Sequence, residues 1–222
     1  MILGQPNWAS ANPALLRLST HDPPPYSMMQ EGRADGVAVR TVDCAVQRLN
    51  IKVEYSFLPW ARAQATARQG EVDGFFAASK SPERDSWASL SAVIAPQQWR
   101  WYLRRDNGLD PLSPEFKSQA KVTSFLGGNM LAWLKQEGYK LETAPPRNEH
   151  VLQMLLRRRV DAVLANQLVM DRLLIEQGLG DEVRSVLQQD KPLGVYFTHR
   201  FTMRYPEFLG RFNQAISACA SR

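Results

Sequence analysis

A serine and an arginine follow directly after an apolar segment in the first half of the chain. Residues 77–85 read AASKSPERD and come after VDGFF at 72–76, so Ser79, Ser81 and Arg84 stand at the end of a predicted buried strand. A guanidinium presents paired N–H donors that match a carboxylate, and a hydroxyl adds a further donor. Ser79 and Arg84 are therefore candidates to contact an acidic group, and Ser81 is placed to support the turn.

Each of these residues also has a purely structural interpretation. Arg84 stands between Glu83 and Asp85, and exposed ion pairs of that kind are common and weak. Ser79 is also a suitable residue to cap the start of a helix. Their position at the end of a strand favours the ligand role for both.

The overall composition is that of a soluble globular protein. The chain has 222 residues, of which 44% are apolar and 22% charged, enough for one large domain or two small ones. The net charge is +5, but the basic runs at 104–105 and 157–159 are short and acids are spread along the chain. The sequence contains neither zinc-finger spacings nor an RNA-binding signature, so we expect no nucleic-acid partner.

Two features bear on the compartment in which the protein works. The sequence contains no apolar run of about 18 residues, which a membrane-spanning helix needs. The first 16 residues, MILGQPNWASANPALL, lack the basic start and the long apolar core of an intact signal peptide. Either the protein is cytoplasmic or an export signal has been removed from it.

The cysteines and histidines give little sign of metal chemistry. Cys44 and Cys219 are far apart, and they either form a disulfide in an exported protein or remain free thiols, at least one of them buried. His21, His150 and His199 show no metal-ligand spacing. We therefore expect neither a metal ion nor a cofactor.

One order of secondary structure occurs twice along the chain. Apolar periodicity predicts strand, helix, strand, helix and strand in each half, with Asn148 as the N-cap of the last helix. The predicted elements lie at 16–20, 36–49, 52–57, 60–70 and 72–78, and again at 121–125, 128–138, 140–144, 148–159 and 160–165. Both third strands begin with a Val-Asp pair. Alternating strands and helices predict an α/β fold with two βαβαβ-based parallel sheets, each with helices on both faces.

Two further segments connect these halves into two lobes. Hinge strands are predicted to cross between the lobes near 97–103 and 192–198, with Trp99 and Trp101 packing at the hinge or the lobe interface. The segment 207–221 predicts an amphipathic helix whose apolar stripe is Phe208, Phe212, Ile216 and Cys219. Lobe one is then discontinuous, at 14–98 and 195–222, and lobe two occupies 102–191.

Polar, aromatic and glycine residues follow the predicted strands. Ligands of such sheets bind outside the carboxyl ends of the strands, where the two lobes face each other across a cleft. The segments at these ends are 20–26, 58–60, 78–81, 125–129, 144–147 and 165–167. This composition suits a pocket with aromatic walls and a few convergent hydrogen-bonding groups.

The order of these motifs resembles that of the family 3 extracellular solute-binding proteins. LRLSTHDPPPY begins at Leu16, VEYSFLPWARA at Val53 and GEVDGFFAASKSPER at Gly70, and the resemblance extends to the C-terminal helix. Its most specific element is a strand followed by S-x-[ST]-x-x-R, which ends at Arg84. The resemblance implies a two-lobed type II periplasmic-binding protein fold with two crossing hinge strands.

The resemblance also implies a ligand site. Tyr26, after the proline-rich loop, and Trp60, after the second strand, match aromatic walls. Ser79 and Arg84 match the carboxylate-binding pair, and the backbone amides of the glycine loop match further carboxylate donors. The complete set that it implies is Tyr26, Trp60, Ser79, Arg84, Gly128, Asn129 and Asn166.

Asn166 departs from the family pattern. The family usually has an aspartate here that accepts the α-ammonium of the ligand, and a neutral amide brings no charge to offset the desolvation of an ammonium. Asn166 fits a neutral polar group, an acid without an amine, or a ligand whose cation lies elsewhere. Asp22 and Glu83 are candidates to supply the missing charge, and His21 is a candidate neighbour of the ligand.

The resemblance implies a function as a periplasmic receptor. Such a protein closes on a small polar ligand with a carboxylate, an amino acid or a related compound, and as a monomer passes it to the membrane subunits of an ABC importer. A second interpretation is the extracytoplasmic sensing domain of a signalling receptor. A third, a dehydratase-type enzyme, needs a placed acid or base. His21, Asp22 and Glu83 form no triad or metal constellation, so we expect no catalytic residue.

Overall fold

The computed structural model describes residues 12–220 of the 222-residue chain. Segments 1–11 and 221–222 lie outside the described residues. The first 16 residues, on which the prediction about a signal peptide rests, therefore lie mostly outside them as well. Within residues 12–220 no helix is long and apolar enough to cross a bilayer.

The elements of the described chain follow in this order. The strands are β1 (Leu15–Thr20), β2 (Met28–Gln30), β3 (Arg33–Asp35), β4 (Lys52–Phe57), β5 (Gly74–Ser79), β6 (Ala88–Leu90), β7 (Gln98–Arg104), β8 (Lys121–Thr123), β9 (Lys140–Leu141), β10 (Ala162–Asn166), β11 (Val183–Asp190) and β12 (Leu193–Thr198). The helices are α1 (Val37–Arg48), α2 (Trp60–Gln69), α3 (Pro82–Asp85), α4 (Phe116–Gln119), α5 (Asn129–Gln136), α6 (Asn148–Leu156), α7 (Gln167–Glu176), α8 (His199–Arg204) and α9 (Phe208–Ala220).

These strands form two five-stranded sheets and a small hairpin of β2 and β3. The first sheet has the order β4-β1-β5-β12-β6, and the second has the order β11-β7-β10-β8-β9. We call each of these sheets with the helices packed on it a lobe. All ten strands and helices predicted for the two repeats are present, although several are shorter than the apolar pattern indicated.

The prediction that both sheets are parallel is only partly right. β1 is parallel to β4 and β5, and β8 is parallel to β9 and β10, but β12 and β7 run antiparallel to their neighbours. The reason is geometric, because the parallel strands end at the cleft whereas a strand arriving from the other lobe begins there. Thus the start of β12 at Leu193 pairs with Ser79, and the start of β7 at Trp99 pairs with Asn166.

The two segments that connect the lobes are hydrogen-bonded to each other. The Leu193 amide donates to the Ala95 carbonyl at 2.9 Å, and the Lys191 amide donates to the Gln97 carbonyl at 2.8 Å. The two crossings therefore form a short paired ribbon between the sheets.

The C-terminal helix returns to the first lobe. Phe208, Phe212 and Ile216 are buried there, as the predicted apolar stripe requires, and α9 packs against α1. Cys44 on α1 and Cys219 on α9 form a disulfide, with their Cα atoms 6.2 Å apart. Of the two alternatives left open by the sequence, the structure contains the disulfide.

The helix ends agree with the sequence at one predicted position and disagree at another. Gly70 ends α2 in the left-handed conformation with φ 81°, which glycine adopts without strain. The prediction that Asn148 caps α6 is wrong. Arg147 occupies the capping position without a side-chain cap, and Asn148 is the first helical residue, with its side chain on the cleft between the lobes.

Candidate ligand-binding site

A cavity lies between the lobes at the carboxyl ends of the parallel strands. Its volume is about 60 Å³, and we call it the inner cavity. All seven residues predicted for the ligand site line it, namely Tyr26, Trp60, Ser79, Arg84, Gly128, Asn129 and Asn166. The fold thus brings the predicted set to one place, while contact of these residues with a ligand stays a prediction.

Arg84 is buried in the wall of the inner cavity. Only 2% of the residue is exposed, and its guanidinium lies 5.2 Å from the centre of the Trp60 ring. Its Nε donates to Gln64 Oε1 at 2.9 Å, and its Nη1 donates to the Ser79 carbonyl at 3.0 Å. A guanidinium has five N–H bonds, so these contacts leave the outer Nη1 and Nη2 edge for a carboxylate.

The hydrogen-bond partners of Arg84 are neutral, while the charges of Glu83 and Asp85 act on it without a direct bond and partly offset the effect of burial on its pKa. Burial lowers the pKa of Arg84 to about 10, which still leaves it protonated at neutral pH. Asp85 accepts a hydrogen bond from the Tyr196 hydroxyl at 2.6 Å, and Glu83 accepts one from Trp87 Nε1 at 3.0 Å. The surface ion pair considered for Arg84 is therefore not the arrangement in the structure. A buried cation with neutral partners gains strongly from an anion.

Trp60 and His21 form the aromatic wall above this arginine. Trp60 is the first residue of α2, directly after the Pro59 cap, and it is 7% exposed. The His21 ring lies 4.4 Å from the Trp60 ring, and Phe125 of the second lobe lies 6.2 Å from His21. Burial, with a smaller contribution from the charge of Arg84, lowers the pKa of His21 to about 3, so His21 is neutral at physiological pH.

Ser79 and Asn129 join the two lobes across the cavity. Nδ2 of Asn129 donates to Ser79 Oγ at 3.0 Å, to the Ser79 carbonyl at 3.1 Å and to the Lys80 carbonyl at 3.4 Å. Ser79 does not cap a helix, because the N-cap of α3 is Ser81. The Ser79 hydroxyl accepts from Asn129 and keeps its own hydrogen for a further partner.

The glycine loop of the second lobe places a helix start at the cavity. Gly127 has φ +78°, a conformation that a side chain would strain, and Gly128 is the N-cap of α5. The first N–H groups of a helix have no partner within the helix. Those of α5 belong to Asn129 and Met130, and both residues line the inner cavity.

Tyr26 of lobe one and Asn166 of lobe two also line the cavity. Tyr26 is fully buried, and its hydroxyl donates to the Pro96 carbonyl at 3.0 Å. Burial raises the pKa of Tyr26, and the polar Asn166 side chain partly offsets that rise. Oδ1 of Asn166 is buried and has no hydrogen-bond partner among the described residues. A buried acceptor of this kind needs a donor.

Ala77 shapes the strand that ends in Ser79. Between Phe76 and Ala78 the pairing of β5 with β12 shifts by one residue, and Ala77 is the extra residue of this bulge, with φ 59°. Such a conformation costs a residue other than glycine roughly 1 kcal/mol or more and is frequent at ligand sites. Ala77 lines the inner cavity, and nothing in the sequence signalled the bulge.

Several cavity residues were not predicted as ligand contacts. Phe125 and Pro23 belong to the strand-end segments, which is the signal that could have identified them. Trp99 was expected to pack at the hinge, and it also lines the cavity. Trp101 instead packs in the core of the second lobe, with its Nε1 donating to Gln188 at 2.8 Å.

Neither acid proposed to replace the missing charge lines the inner cavity. Asp22 lines a neighbouring opening of about 700 Å³, which we call the outer cleft, and Glu83 is exposed on α3. The outer cleft shares His21, Trp60 and Phe125 with the inner cavity. Among residues 12–220 no group of three or more His, Cys, Asp or Glu side chains is arranged to hold a metal ion.

Comparisons with known proteins agree with this architecture. A histidine kinase sensor domain with similarity to periplasmic binding proteins is 19% identical, with a TM-score of 0.78 over 93% of this chain and 90% of that one. Holo ArgBP from T. maritima is 14% identical, with a TM-score of 0.76 over 93% and 91%. An ancestral amino-acid-binding protein, a precursor of cyclohexadienyl dehydratase, is 20% identical, with a TM-score of 0.75 over 94% and 90%.

At these identities the three structures show the fold alone. No curated protein sequence matches the chain. A family model does match, and it covers residues 16–218, nearly the whole chain. The chain belongs to the bacterial extracellular solute-binding proteins, family 3.

Proposed function

We propose that this protein is a periplasmic receptor whose lobes close on a small ligand with a carboxylate and present it to an ABC importer. The observation that carries the proposal is the buried Arg84, which retains its charge and free N–H groups in a cavity between two lobes. An anion bound there would neutralise a cation that the fold has already desolvated. The protein would act by binding and release, without catalysis.

The connection between the lobes supports closure by hinge motion. The paired ribbon at 95–97 and 191–193 joins two separately packed sheets, so bending there would move one lobe relative to the other. On this proposal lobe one is 14–98 and 195–222, lobe two is 102–191, and the protein works as a monomer. A ligand favours closure only if it contacts both lobes, and residues of both lobes line the inner cavity.

The disulfide supports an extracytoplasmic location. Disulfides persist in the periplasm and outside cells, whereas the cytoplasm of most organisms keeps thiols reduced. The pair Cys44–Cys219 therefore fits an exported protein better than a cytoplasmic one.

The test of this function is loss of ligand binding on removal of the Arg84 charge. Calorimetry would compare the wild type, Arg84→Met and Arg62→Met with a panel of short amino acids, 2-hydroxy acids and 2-oxo acids. Two charge-assisted hydrogen bonds contribute about 3–6 kcal/mol, so Arg84→Met should weaken binding at least about 100-fold. Arg62 is exposed on α2 and provides the matched control. Binding that survives in a folded Arg84→Met protein would overturn the proposal.

A sensing role is the second candidate, because a histidine kinase sensor domain shares the fold. A receptor for transport and a sensor predict the same ligand site but different partners. Deleting the gene should abolish uptake of the ligand if the protein serves an importer. Normal uptake with loss of a ligand-dependent signal would favour the sensor.

A further inference from the structure

The charges around the inner cavity restrict the ligand further than a carboxylate requirement does. Among the described residues that line it, Arg84 is the one charged side chain, since His21 is neutral. A zwitterionic amino acid would leave a net charge of +1 in the closed site. Its ammonium would meet no carboxylate on the cavity wall and would be repelled by Arg84. A ligand with a single negative charge leaves the site neutral.

The Asn166 side chain, which also lines the cavity, indicates what a second group of the ligand presents. Oδ1 of Asn166 is a buried acceptor with no hydrogen-bond partner among residues 12–220. A hydroxyl of the ligand would donate to this oxygen without adding charge. A keto group is only an acceptor, so it would leave Oδ1 unpaired, which is costly in a buried site.

The volume of the inner cavity limits the part of a ligand that it encloses. A single water molecule needs about 10–15 Å³, and pockets for drug-sized ligands measure about 300–1,000 Å³. A cavity of about 60 Å³ therefore encloses only a few non-hydrogen atoms, and anything larger would extend into the adjoining outer cleft. Acids of two or three carbons fit within the inner cavity alone.

We propose that the inner cavity selects small 2-hydroxy acids over the corresponding 2-amino and 2-oxo acids, with Arg84 binding the carboxylate and Asn166 Oδ1 accepting from the hydroxyl. This inference rests on the proposed receptor function and narrows its ligand class. Asn166 is then the residue that determines specificity, because a carboxylate at its position would supply the missing charge for an ammonium.

The experiment compares ligands that differ in one group. Lactate, alanine, pyruvate and lactamide have the same three-carbon skeleton, and each enantiomer of the chiral compounds is measured separately by calorimetry. Wild-type protein should bind one enantiomer of lactate at least about tenfold more tightly than alanine, pyruvate or lactamide. Lactamide tests the need for negative charge, pyruvate the need for a donor, and alanine the exclusion of an ammonium.

The variant Asn166→Asp should reverse the preference between lactate and alanine. Because aspartate and asparagine have almost the same shape, near-ultraviolet circular dichroism should show a folded protein. If this variant does not fold, the ranking of the four compounds on the wild type still decides the question. Tighter binding of alanine or pyruvate than of lactate would overturn this inference. If Arg84→Met then lost the binding of alanine or pyruvate, the proposed receptor function would still stand. Absence of binding by every compound in both panels would overturn both.

Discussion

Replacing Asn129 by leucine should open the cleft while leaving each lobe folded. The Asn129 amide of lobe two donates to Ser79 Oγ, the Ser79 carbonyl and the Lys80 carbonyl of lobe one. A leucine has a similar size but no donor for these oxygens. Asn129 is the first residue of α5 and leucine is a good helix former, so the second lobe should keep its stability.

The size of the effect follows from the number of hydrogens on the amide. Three acceptors lie at 3.0, 3.1 and 3.4 Å, but Nδ2 has two hydrogens and forms two of these bonds at a time. At about 0.5–1.5 kcal/mol each, their loss shifts the equilibrium between closed and open forms by about 1–3 kcal/mol, or about 5- to 150-fold. Ligand affinity falls as the closed fraction falls.

Small-angle X-ray scattering of the unliganded protein and ligand release rates would measure this shift. The Asn129→Leu protein should have the larger radius of gyration and the faster release. Gln136→Leu makes the same change from amide to apolar side chain at an exposed position of α5 and serves as the control. Equal scattering and equal release rates in Asn129→Leu and wild type would refute a role for Asn129 in closure. The same opening in Gln136→Leu would show that the effect does not come from the contact between the lobes.

Two further predictions concern stability. In the folded protein the pKa of His21 is about 3, below its ordinary value of 6.5, so stability falls as the pH drops below 6.5. Between about pH 7.5 and about pH 5 the free energy of unfolding of the wild type should therefore fall by about 2 kcal/mol more than that of His21→Gln. If denaturant titrations gave the same dependence of unfolding free energy on pH for both proteins, this prediction would be contradicted. Gly36→Ala should lower the free energy of unfolding by more than about 2 kcal/mol. The added Cβ would lie 2.4 Å from the Tyr26 carbonyl oxygen, and the backbone of Gly36 has a φ of +124° that alanine rarely adopts. Gly180→Ala, with open space around it, should unfold at the wild-type temperature.

On the proposed function, Asn129 and Arg84 have separate tasks. The direct contact of Asn129 with the first lobe would stabilise part of the closed state without a ligand. Arg84 would contribute the charge that a ligand complements. Such a receptor would close most stably on a ligand that neutralises Arg84 and fits beside the Asn129 contact. Affinity and selectivity would then depend on the same closed state.

Local patterns in the sequence determined the order of the elements and the residues that meet at the cleft. Apolar periodicity identified the strands and helices of both repeats because each one buries a regular face. The carboxyl ends of parallel strands meet at one edge of a sheet, so the residues after the predicted strands were expected to lie near one another. The resemblance to the family then singled out Arg84, Trp60 and Asn166.

Tertiary structure decided the features that depend on pairing between distant segments. The direction of β7 and β12 follows from crossing the cleft, which no local pattern encodes. The bulge at Ala77 arises from the register between β5 and β12, and the pairing of Cys44 with Cys219 from the packing of α9 on α1. The absence of any acid beside Arg84 among the described cavity residues is likewise a property of the assembled site, because acids that neighbour it in sequence point elsewhere.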